Sequence, residues 1–316
     1  MDEWQRFCLI GLGRHAQTHL LPALKENEQK LVGVVSSHLS EADNSPARLF
    51  KSVGHAVNSM PENTCFVISS APQQHYQAIC QVVEAGFDVL VEKPAFVKHG
   101  EALNAIEKVR KHRTTFCEAF MFKHTTLYDE ALRYWCRKKA QISEIHIKFF
   151  LPDLPKRTFR DDNSLENSIL FDVGCYAITV MSDLSVPLEH IQLDEVLMRG
   201  NRLRYVRANS KINHKIVIEF GFGYNYMNML EFVLLDGSAI KFEPIFFGRE
   251  GERTIQLRDG LGKIKSTKIR EKNAFANMFS TKLSYWKNSQ EERLDKIEKC
   301  VICLETLRTE ILRTAK

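Results

Sequence analysis

The fold is decided by the sequence FCLIGLGRHA at residues 7–16. A short apolar run leads into the pattern Gly-x-Gly-x-x-Ala, and apolar residues at helical spacing follow over residues 18–24. This order is typical of the first strand, turn and helix of a dinucleotide-binding fold. There, Gly11 makes the tight turn, Gly13 lets the backbone approach a pyrophosphate, and Ala16 allows close packing of the helix on the strand. The backbone N–H groups at the start of the helix then hold the phosphates.

Strands alternate with helices over the first third of the chain. Short apolar runs at residues 31–35, 65–69, 89–91 and 114–116 predict strands. One helical pattern ends at Ala85, and a second covers residues 101–111. This alternation predicts a parallel, doubly wound sheet, in which ligands bind outside the carboxyl ends of the strands. Four predicted strand ends carry Gly11, Ser36, Ala71 and Lys93. We therefore expect these four positions to line one crevice.

The residue after the second strand bears on the choice of cofactor. Ser36 occupies the position at which NAD-specific folds commonly carry Asp or Glu to bind the ribose 2′-hydroxyl. A carboxylate repels a 2′-phosphate, so its absence favours NADP, and NAD stays open because small polar residues are also common in loops. Hydrogen bonds to that phosphate can come from Arg14, Ser36, Ser37 and His38.

The sequence pattern changes after residue 118, where we place a domain boundary. The division is a Rossmann domain at residues 1–118 and an α+β domain for substrate binding and oligomerisation at residues 119–316. Alternating strands between residues 192 and 269 include Asp236-Gly237, a hairpin signal. They predict a large, mostly antiparallel open sheet, and the amphipathic pattern at residues 290–314 predicts a terminal packing helix.

The overall composition is that of a globular protein of two domains. The 316 residues are 44% hydrophobic and 26% charged, and the net charge of +5 is spread along the chain, which argues against nucleic-acid binding. The eight scattered cysteines favour a reducing compartment. Cys300 and Cys303 lie in a helical pattern without a second Cys or His pair, so we expect packing and no metal site. We see no signal peptide or membrane span and expect a cytoplasmic protein.

Three side chains are the strongest candidates for a catalytic role. Lys93 follows a buried strand in Glu92-Lys93-Pro94, at the crevice mouth where a nicotinamide would lie, although a lysine after a strand is often only a surface residue. Asp172 and Tyr176 are four residues apart on an apolar helix and would share one face. A carboxylate and a phenol in a dry pocket suit acid–base catalysis on a carbonyl or carbinol oxygen. The alternative is that Asp172 caps the helix and Tyr176 is a core residue.

Two histidines are weaker candidates. His75 lies near the start of a predicted helix, which it would stabilise if it has no chemical role. His124 lies just before another predicted helix, and its alternative interpretation is a solvated loop residue.

Over nearly its full length, the chain resembles the family of glucose–fructose oxidoreductase, inositol dehydrogenase and related oxidoreductases (Gfo/Idh/MocA). The resemblance rests on Gly11-x-Gly13-x-x-Ala16, Ala71-Pro72-x-x-His75, Glu92-Lys93-Pro94 and Asp172-x-Gly174-x-Tyr176. It implies a Rossmann domain followed by an α/β domain with a large open sheet, which often joins subunits into a homodimer or homotetramer.

The resemblance also implies roles for individual residues. Lys93 matches the lysine that touches the nicotinamide ribose and a substrate oxygen, and Asp172 matches the acidic residue that holds the substrate. Tyr176 stands where inositol-dehydrogenase-like members have His, and where the glucose–fructose oxidoreductase and sugar-ketoreductase branches have Tyr. The expected cofactor-binding set is Gly11, Gly13, Arg14, His15, Ala16, Ser36, Ser37, His38, Ser70, Ala71, Pro72, His75, Glu92 and Lys93.

These roles imply hydride transfer between nicotinamide C4 and a carbon of a sugar, nucleotide-sugar, or related polyol or keto compound. The tyrosine and the preference for NADP favour ketone reduction. Many relatives have a glycine-rich run before the acidic residue, whereas this chain has Glu166-Asn167-Ser168, so the substrate stays unassigned. One alternative is a nucleotide-binding sensor without turnover. Another is the reduction of an imine or double bond, as in dihydrodipicolinate- or biliverdin-type relatives, but the Asp172/Tyr176 pair favours an oxygen-bearing substrate.

Overall fold

The computed structural model describes residues 4–36, 47–153, 168–210 and 214–314. The chain divides into one compact unit of Met1–Phe120 with Phe275–Val301, and a second of Met121–Ala274 with Ile302–Lys316. Residues 275–301, which the sequence division assigned to the second domain, thus belong with the first unit. The physical reason is that Leu294, Ile297 and Val301 join the apolar core of the first unit.

The first unit contains a six-stranded, all-parallel sheet. Its strands are β1 (Arg6–Ile10), β2 (Lys30–Val35), β3 (Arg48–Phe50), β4 (Thr64–Ile68), β5 (Asp88–Glu92) and β6 (Phe116–Ala119). Their order in the sheet is β3-β2-β1-β4-β5-β6, the order of a doubly wound Rossmann sheet. The predicted parallel sheet is confirmed. Sequence analysis missed β3, because a strand of three residues has too few positions to show a hydrophobic pattern.

The helices of the first unit come from two separate parts of the chain. The first helix starts as a π-helical turn over Ala16–Leu20, in which hydrogen bonds join residues five positions apart in place of four, and continues as α1 (Leu21–Glu26). The others are α2 (Val53–Val57), α3 (Pro72–Glu84) and α4 (His99–His112).

Three further helices follow late in the chain. They are α7 (Ala274–Phe279), α8 (Leu283–Asn288) and α9 (Gln290–Thr314). Two helices of the second unit precede them in the chain and take the numbers five and six. The α7–α8 segment packs on the start of the Rossmann sheet, where the Trp286 and Phe279 rings contact those of Trp4 and Phe7.

The second unit contains the large open sheet predicted from the sequence. Its strands are β7 (Ile142–Leu151), β8 (Gln192–Arg199), β9 (Arg202–Ser210), β10 (Lys215–Phe222), β11 (Met227–Leu234), β12 (Ala239–Glu243), β13 (Gly251–Arg258) and β14 (Ile264–Glu271). The order is β14-β13-β12-β11-β7-β10-β9-β8. Only β7 and β10 pair in parallel among the strand pairs that the structure describes, so the mostly antiparallel character is confirmed.

The two faces of this sheet differ in polarity. On β7, Ile145, Ile147 and Phe149 are buried, whereas the alternating Lys148 is half-buried and pairs with Glu219 of β10 at 2.7 Å. The period of two thus gives the sheet one apolar face and one face with ion pairs. Assembly of the protein through this sheet stays a prediction. In the described part of the chain, no helix is both long and apolar enough to cross a membrane.

Helices α5 (Thr126–Lys138) and α6 (Cys175–Asp183) belong to the second unit. A π-helical turn over Leu170–Gly174 precedes α6, so the apolar helix predicted to carry Asp172 and Tyr176 exists but is not regular. A Cβ added to Gly174 would lie 2.7 Å from Cζ of Phe220 on β10. Since a real Cβ does not approach so closely, glycine at this position permits contact between the helix and the sheet.

We expect Gly174→Ala to lower the free energy of unfolding by about 1–3 kcal/mol, because the added methyl group overpacks a fully buried site beside Phe220. Urea unfolding measures this. Gly100→Ala in α4 is the matched control, since no atom lies within 4 Å of its added Cβ, and alanine there favours the helix. Equal stability of the two variants would contradict the packing argument.

Candidate functional site

The first turn of the Rossmann unit uses its two glycines differently. Gly11 has a φ of +90°, and a Cβ on it would lie 2.8 Å from the backbone N of Ser70. Its N–H donates to the carbonyl of Val35 at 2.9 Å, which joins the turn to the end of β2. A Cβ on Gly13 would meet no protein atom within 4 Å. Packing therefore requires glycine at position 11 but not at position 13, as expected if Gly13 serves the approach of a ligand.

Ser70 tests whether this edge suits a dinucleotide. Its hydroxyl oxygen is buried and, in the described part of the chain, has no hydrogen-bond partner. Leaving such a group unpaired costs about 1–3 kcal/mol, a cost that a polar ligand group removes. Next to it, Ala71 precedes α3, and Pro72 occupies the first helical position, where its missing N–H costs nothing. The residues at this edge therefore fit a bound dinucleotide.

Ser36 is held at the same edge by its backbone. Its N–H donates to the carbonyl of Phe50, the last residue of β3, at 3.1 Å. Arg14 is exposed at the start of the first helix, and Ala16 is fully buried behind it, as the sequence predicts. Ser37 and His38, which the sequence also assigns to the cofactor, lie outside the described residues.

His75 joins two turns at the carboxyl edge of the sheet. Its Nδ1 lies 3.0 Å from the carbonyl oxygen of Pro94, and its Nε2 lies 3.0 Å from that of Ser70. The side chain is 1% exposed, and burial lowers its pKa, although the two carbonyls and Glu92 favour the charged form. His75 therefore positions these turns, and its direct contact with a cofactor stays a prediction.

Glu92 links the glycine turn to the turn that carries Lys93. Its Oε1 lies 2.9 Å from Nε2 of His15, which lies within the glycine pattern just before Ala16. Burial alone would raise the pKa of the Glu92 carboxyl, but His15, Lys93 and His75 together lower it. The carboxylate therefore stays ionised near the ammonium group of Lys93 and the imidazole rings of His15 and His75. Beyond Lys93, the N–H of Ala95 donates to Oε1 of Glu118 at 2.8 Å, which fixes the end of the turn.

In the second unit, Asp172 and Tyr176 are both buried, at 7% and 6% exposure. Asp172 lies within the π-helical turn and Tyr176 in α6, so the regular-helix spacing assumed from the sequence is wrong for this segment. The hydroxyl that bonds a backbone N–H at the helix start belongs to Ser168, 3.3 Å from the N of Leu170. The N-cap residues of the turn and of α6, Ile169 and Gly174, make no side-chain capping bond, and Asp172 as a cap stays an alternative interpretation.

Tyr176 combines a core ring with a polar end. Its ring lies 5.3–5.6 Å, between centroids, from those of Phe122, Phe149 and Phe246. Its hydroxyl oxygen is 3.8 Å from Sδ of Met121. The ring thus fulfils the core alternative, and the phenol end lies beside a thioether, a weak acceptor. Sequence analysis missed Met121 and Phe246, because contacts between distant segments leave no local pattern.

His124 lies two residues after Phe122, a member of this aromatic cluster. Burial, together with the charge of Lys123, lowers the pKa of its imidazole to about 3. The ring is therefore neutral at physiological pH, which argues against His124 as a proton donor. Within the described ranges, no group of three His, Cys, Asp or Glu side chains is placed to hold a metal ion.

Comparison with known proteins identifies the first unit. Residues 5–120 match the GFO_IDH_MocA model, described as an oxidoreductase family with an NAD-binding Rossmann fold. Residues 5–120 of the first unit thus match the NAD-binding Rossmann domain of this oxidoreductase family. The resemblance stated from the sequence motifs is thereby confirmed, as is the expectation of an NAD(P)-binding fold. No curated protein matches the chain by sequence.

Solved structures extend the similarity of fold to both units. KijD10, a 3-ketoreductase from Actinomadura kijaniata in complex with NADP and TDP-benzene, aligns with a TM-score of 0.81 at 15% identity, over 96% of this chain and 97% of that chain. An aldose–aldose oxidoreductase from Caulobacter crescentus, complexed with glycerol, aligns at 0.77 and 13% identity over 98% of both chains. A dehydrogenase from Chromobacterium violaceum aligns at 0.76 and 15% identity, over 99% and 98%. Such low identities show the fold alone.

We expect the stability of the protein to fall as the pH drops below about 6.5, because the unfolded chain then binds a proton at His75 that the folded protein excludes. The contribution of one such group is at most about 1.4 kcal/mol per pH unit, until the pH reaches the lower pKa of the folded state. His75→Gln should therefore unfold in urea with a weaker pH dependence between about pH 7 and pH 5.

His55→Gln is the control for this measurement, because His55 is exposed on α2. Its pH dependence should equal that of the wild type. If His75→Gln also matched the wild type, the exclusion of a proton from buried His75 would be disproved.

Proposed function

We propose that this protein is an NADP-preferring oxidoreductase that acts on a sugar, a nucleotide-linked sugar, or a related polyol or keto compound. Ketone reduction is the favoured direction. The observation that carries the proposal is the set of features at the carboxyl edge of the six-stranded sheet. These are the open space at Gly13, the buried hydroxyl of Ser70 that has no partner among the described residues, and Lys93 directly after β5.

The choice of NADP over NAD is supported by Ser36, which leaves the end of β2 without the carboxylate that binds a free ribose 2′-hydroxyl. Further support comes from KijD10, which was crystallised with NADP. The nicotinamide of a bound cofactor supplies or accepts the hydride at its C4 atom.

The proposed chemical roles follow the residue types. The ammonium group of Lys93 donates a hydrogen bond to the reacting oxygen of the substrate and stabilises negative charge that develops there. The phenol of Tyr176 gives its proton to that oxygen as a ketone becomes an alcohol. The carboxylate of Asp172 accepts hydrogen bonds from substrate hydroxyl groups. Burial of Asp172 and Tyr176 supports these roles, because electrostatic interactions strengthen where water is excluded.

The substrate class is supported by what the similar structures contain. KijD10 was crystallised with TDP-benzene, and the Caulobacter enzyme with glycerol and under the name aldose–aldose oxidoreductase. Variants of KijD10 in which a lysine or a tyrosine is replaced are also among the similar structures. Those two residues lie at nearly the same sequence separation as Lys93 and Tyr176.

Lys93→Met tests the proposal. We expect it to lower turnover at least about a hundredfold while cofactor binding persists, because the apolar side chain removes the charge that the reacting oxygen needs. The assay follows NADPH absorbance with a panel of free and nucleotide-linked keto-sugars, and NADP⁺ with the corresponding alcohols. NADPH fluorescence measures binding in parallel.

Lys98→Met is the matched control, because this exposed lysine contacts only Glu101 among the bonds found in the described chain. It should retain full activity. A wild-type protein that binds the cofactor but turns over no member of the panel would favour the alternative of a sensor without catalysis. An active Lys93→Met variant would show that Lys93 is not catalytic.

Tyr176→Phe should lower kcat about 10²- to 10⁴-fold with little change in KM, because it removes a proton donor and keeps the packed ring. Steady-state kinetics on the best substrate of the panel measures this change. Tyr128→Phe is the control, since the Tyr128 hydroxyl donates to Oδ2 of Asp183 at 2.8 Å in the same unit. It should cost stability and leave kcat unchanged, and equal losses of kcat in both variants would contradict the role of Tyr176.

A further inference from the structure

We infer that Lys51 binds the 2′-phosphate of NADP and so sets the cofactor preference of the protein. This residue directly follows β3, the short strand that the sequence pattern did not reveal. The inference rests on the proposed function, and it adds a cation beside Ser36, which the sequence assigned to the phosphate.

The position of Lys51 follows from a chain of backbone contacts. The N–H of Gly11 donates to the carbonyl of Val35, and Val35 is paired with Phe50 in the β2–β3 ladder. The N–H of Ser36 then donates to the carbonyl of Phe50 at 3.1 Å. Lys51 is the next residue of the chain, so its backbone lies beside Ser36, at the same edge as the glycine turn.

The distances suit a lysine. Adjacent strands lie about 4.8 Å apart, and Lys51 is therefore about one strand spacing from the residue at which the ribose hydroxyls bind in this fold. Its flexible stem of four carbons spans a gap of this size. The side chain is exposed, so it reaches a ligand without first leaving a packed site.

Among the described residues of the β2 and β3 segments, the charges also favour a phosphate. Residues 30–36 and 47–54 contain no Asp or Glu, and their cations are Lys30, Arg48 and Lys51. Lys30 is the first residue of β2, so it lies at the opposite edge of the parallel sheet. The guanidinium group of Arg48 is engaged within the protein, because it stacks 5.3 Å from the ring centroid of Phe50 and its Nη1 lies 3.2 Å from the carbonyl oxygen of Ser59. Lys51 is thus the cation of these two segments that follows the carboxyl end of a strand.

Chemistry explains why such a cation discriminates between cofactors. NADP differs from NAD by one phosphate on the ribose, which carries most of its second charge at neutral pH. An ammonium group forms a charge-assisted hydrogen bond with that phosphate and gains nothing comparable from the 2′-hydroxyl of NAD. Lys51 therefore raises the affinity for NADP above that for NAD. It contributes little to binding of the part that the two cofactors share.

The test compares two small probes by titration calorimetry on the full chain. Adenosine 2′,5′-bisphosphate carries the 2′-phosphate and 5′-AMP lacks it, so their difference isolates that group. We expect Lys51→Ala to weaken binding of the bisphosphate about tenfold, as loss of one charge-assisted hydrogen bond predicts. Binding of 5′-AMP should not change, and Lys51→Arg should keep most of the preference.

Lys30→Ala is the matched control, since it removes the same charge from the other edge of the sheet. It should leave both affinities unchanged, and circular dichroism with thermal unfolding checks that each variant is folded. The inference is overturned if Lys51→Ala weakens both probes equally or neither. It is also overturned if the wild type binds NADH as tightly as NADPH, which would leave an NAD-linked oxidoreductase in place. A wild type that binds neither dinucleotide overturns the proposed function itself.

Discussion

The close approach of the Gly11 turn to the end of β4 is the constraint on which the Rossmann unit depends. With a φ of +90° and the Ser70 backbone 2.8 Å from where a Cβ would be, this turn accepts only glycine without rearrangement. The approach brings the ends of β1, β2 and β4 together, because the N–H of Gly11 also bonds Val35. The loops after these three strands therefore start from one point of the structure.

The polar groups at that edge are arranged in pairs across turns. His75 joins the turn after β4 to the turn after β5 through two backbone carbonyls, and Glu92 joins the latter to the first turn through His15. These contacts link three loops that lie far apart in the sequence. Loops are ordinarily the most variable part of a fold. Here the buried side chains of His75 and Glu92 hold three loops in place. Lys93 is thereby carried by a framework that is fixed on both sides.

Most of this fold was readable from the sequence, because its signals are local. The glycine pattern, the alternation of strands and helices, and the Asp236-Gly237 hairpin each depend on a few neighbouring residues, and each is found in the structure. What escaped prediction depends on tertiary contacts. The assignment of residues 275–301 to the first unit reflects burial of Leu294 and Ile297, and β3 exists because β2 offers it a pairing edge. The neighbours of Tyr176 likewise come from segments that only folding brings together.

The π-helical turn at Leu170–Gly174 changes how this chain must be compared with others. Such a turn is equivalent to one residue inserted into an α-helix, and each residue of an α-helix advances by about 100°. Residues on either side of the turn therefore keep their facing directions only if an alignment opens a gap of one residue within it. In a homologue with an uninterrupted helix, the residues aligned without this gap with Asp172 and Tyr176 would share one face, at a relative angle that differs from the one in this chain. Motif comparisons across this family should thus count helical phase as well as sequence position.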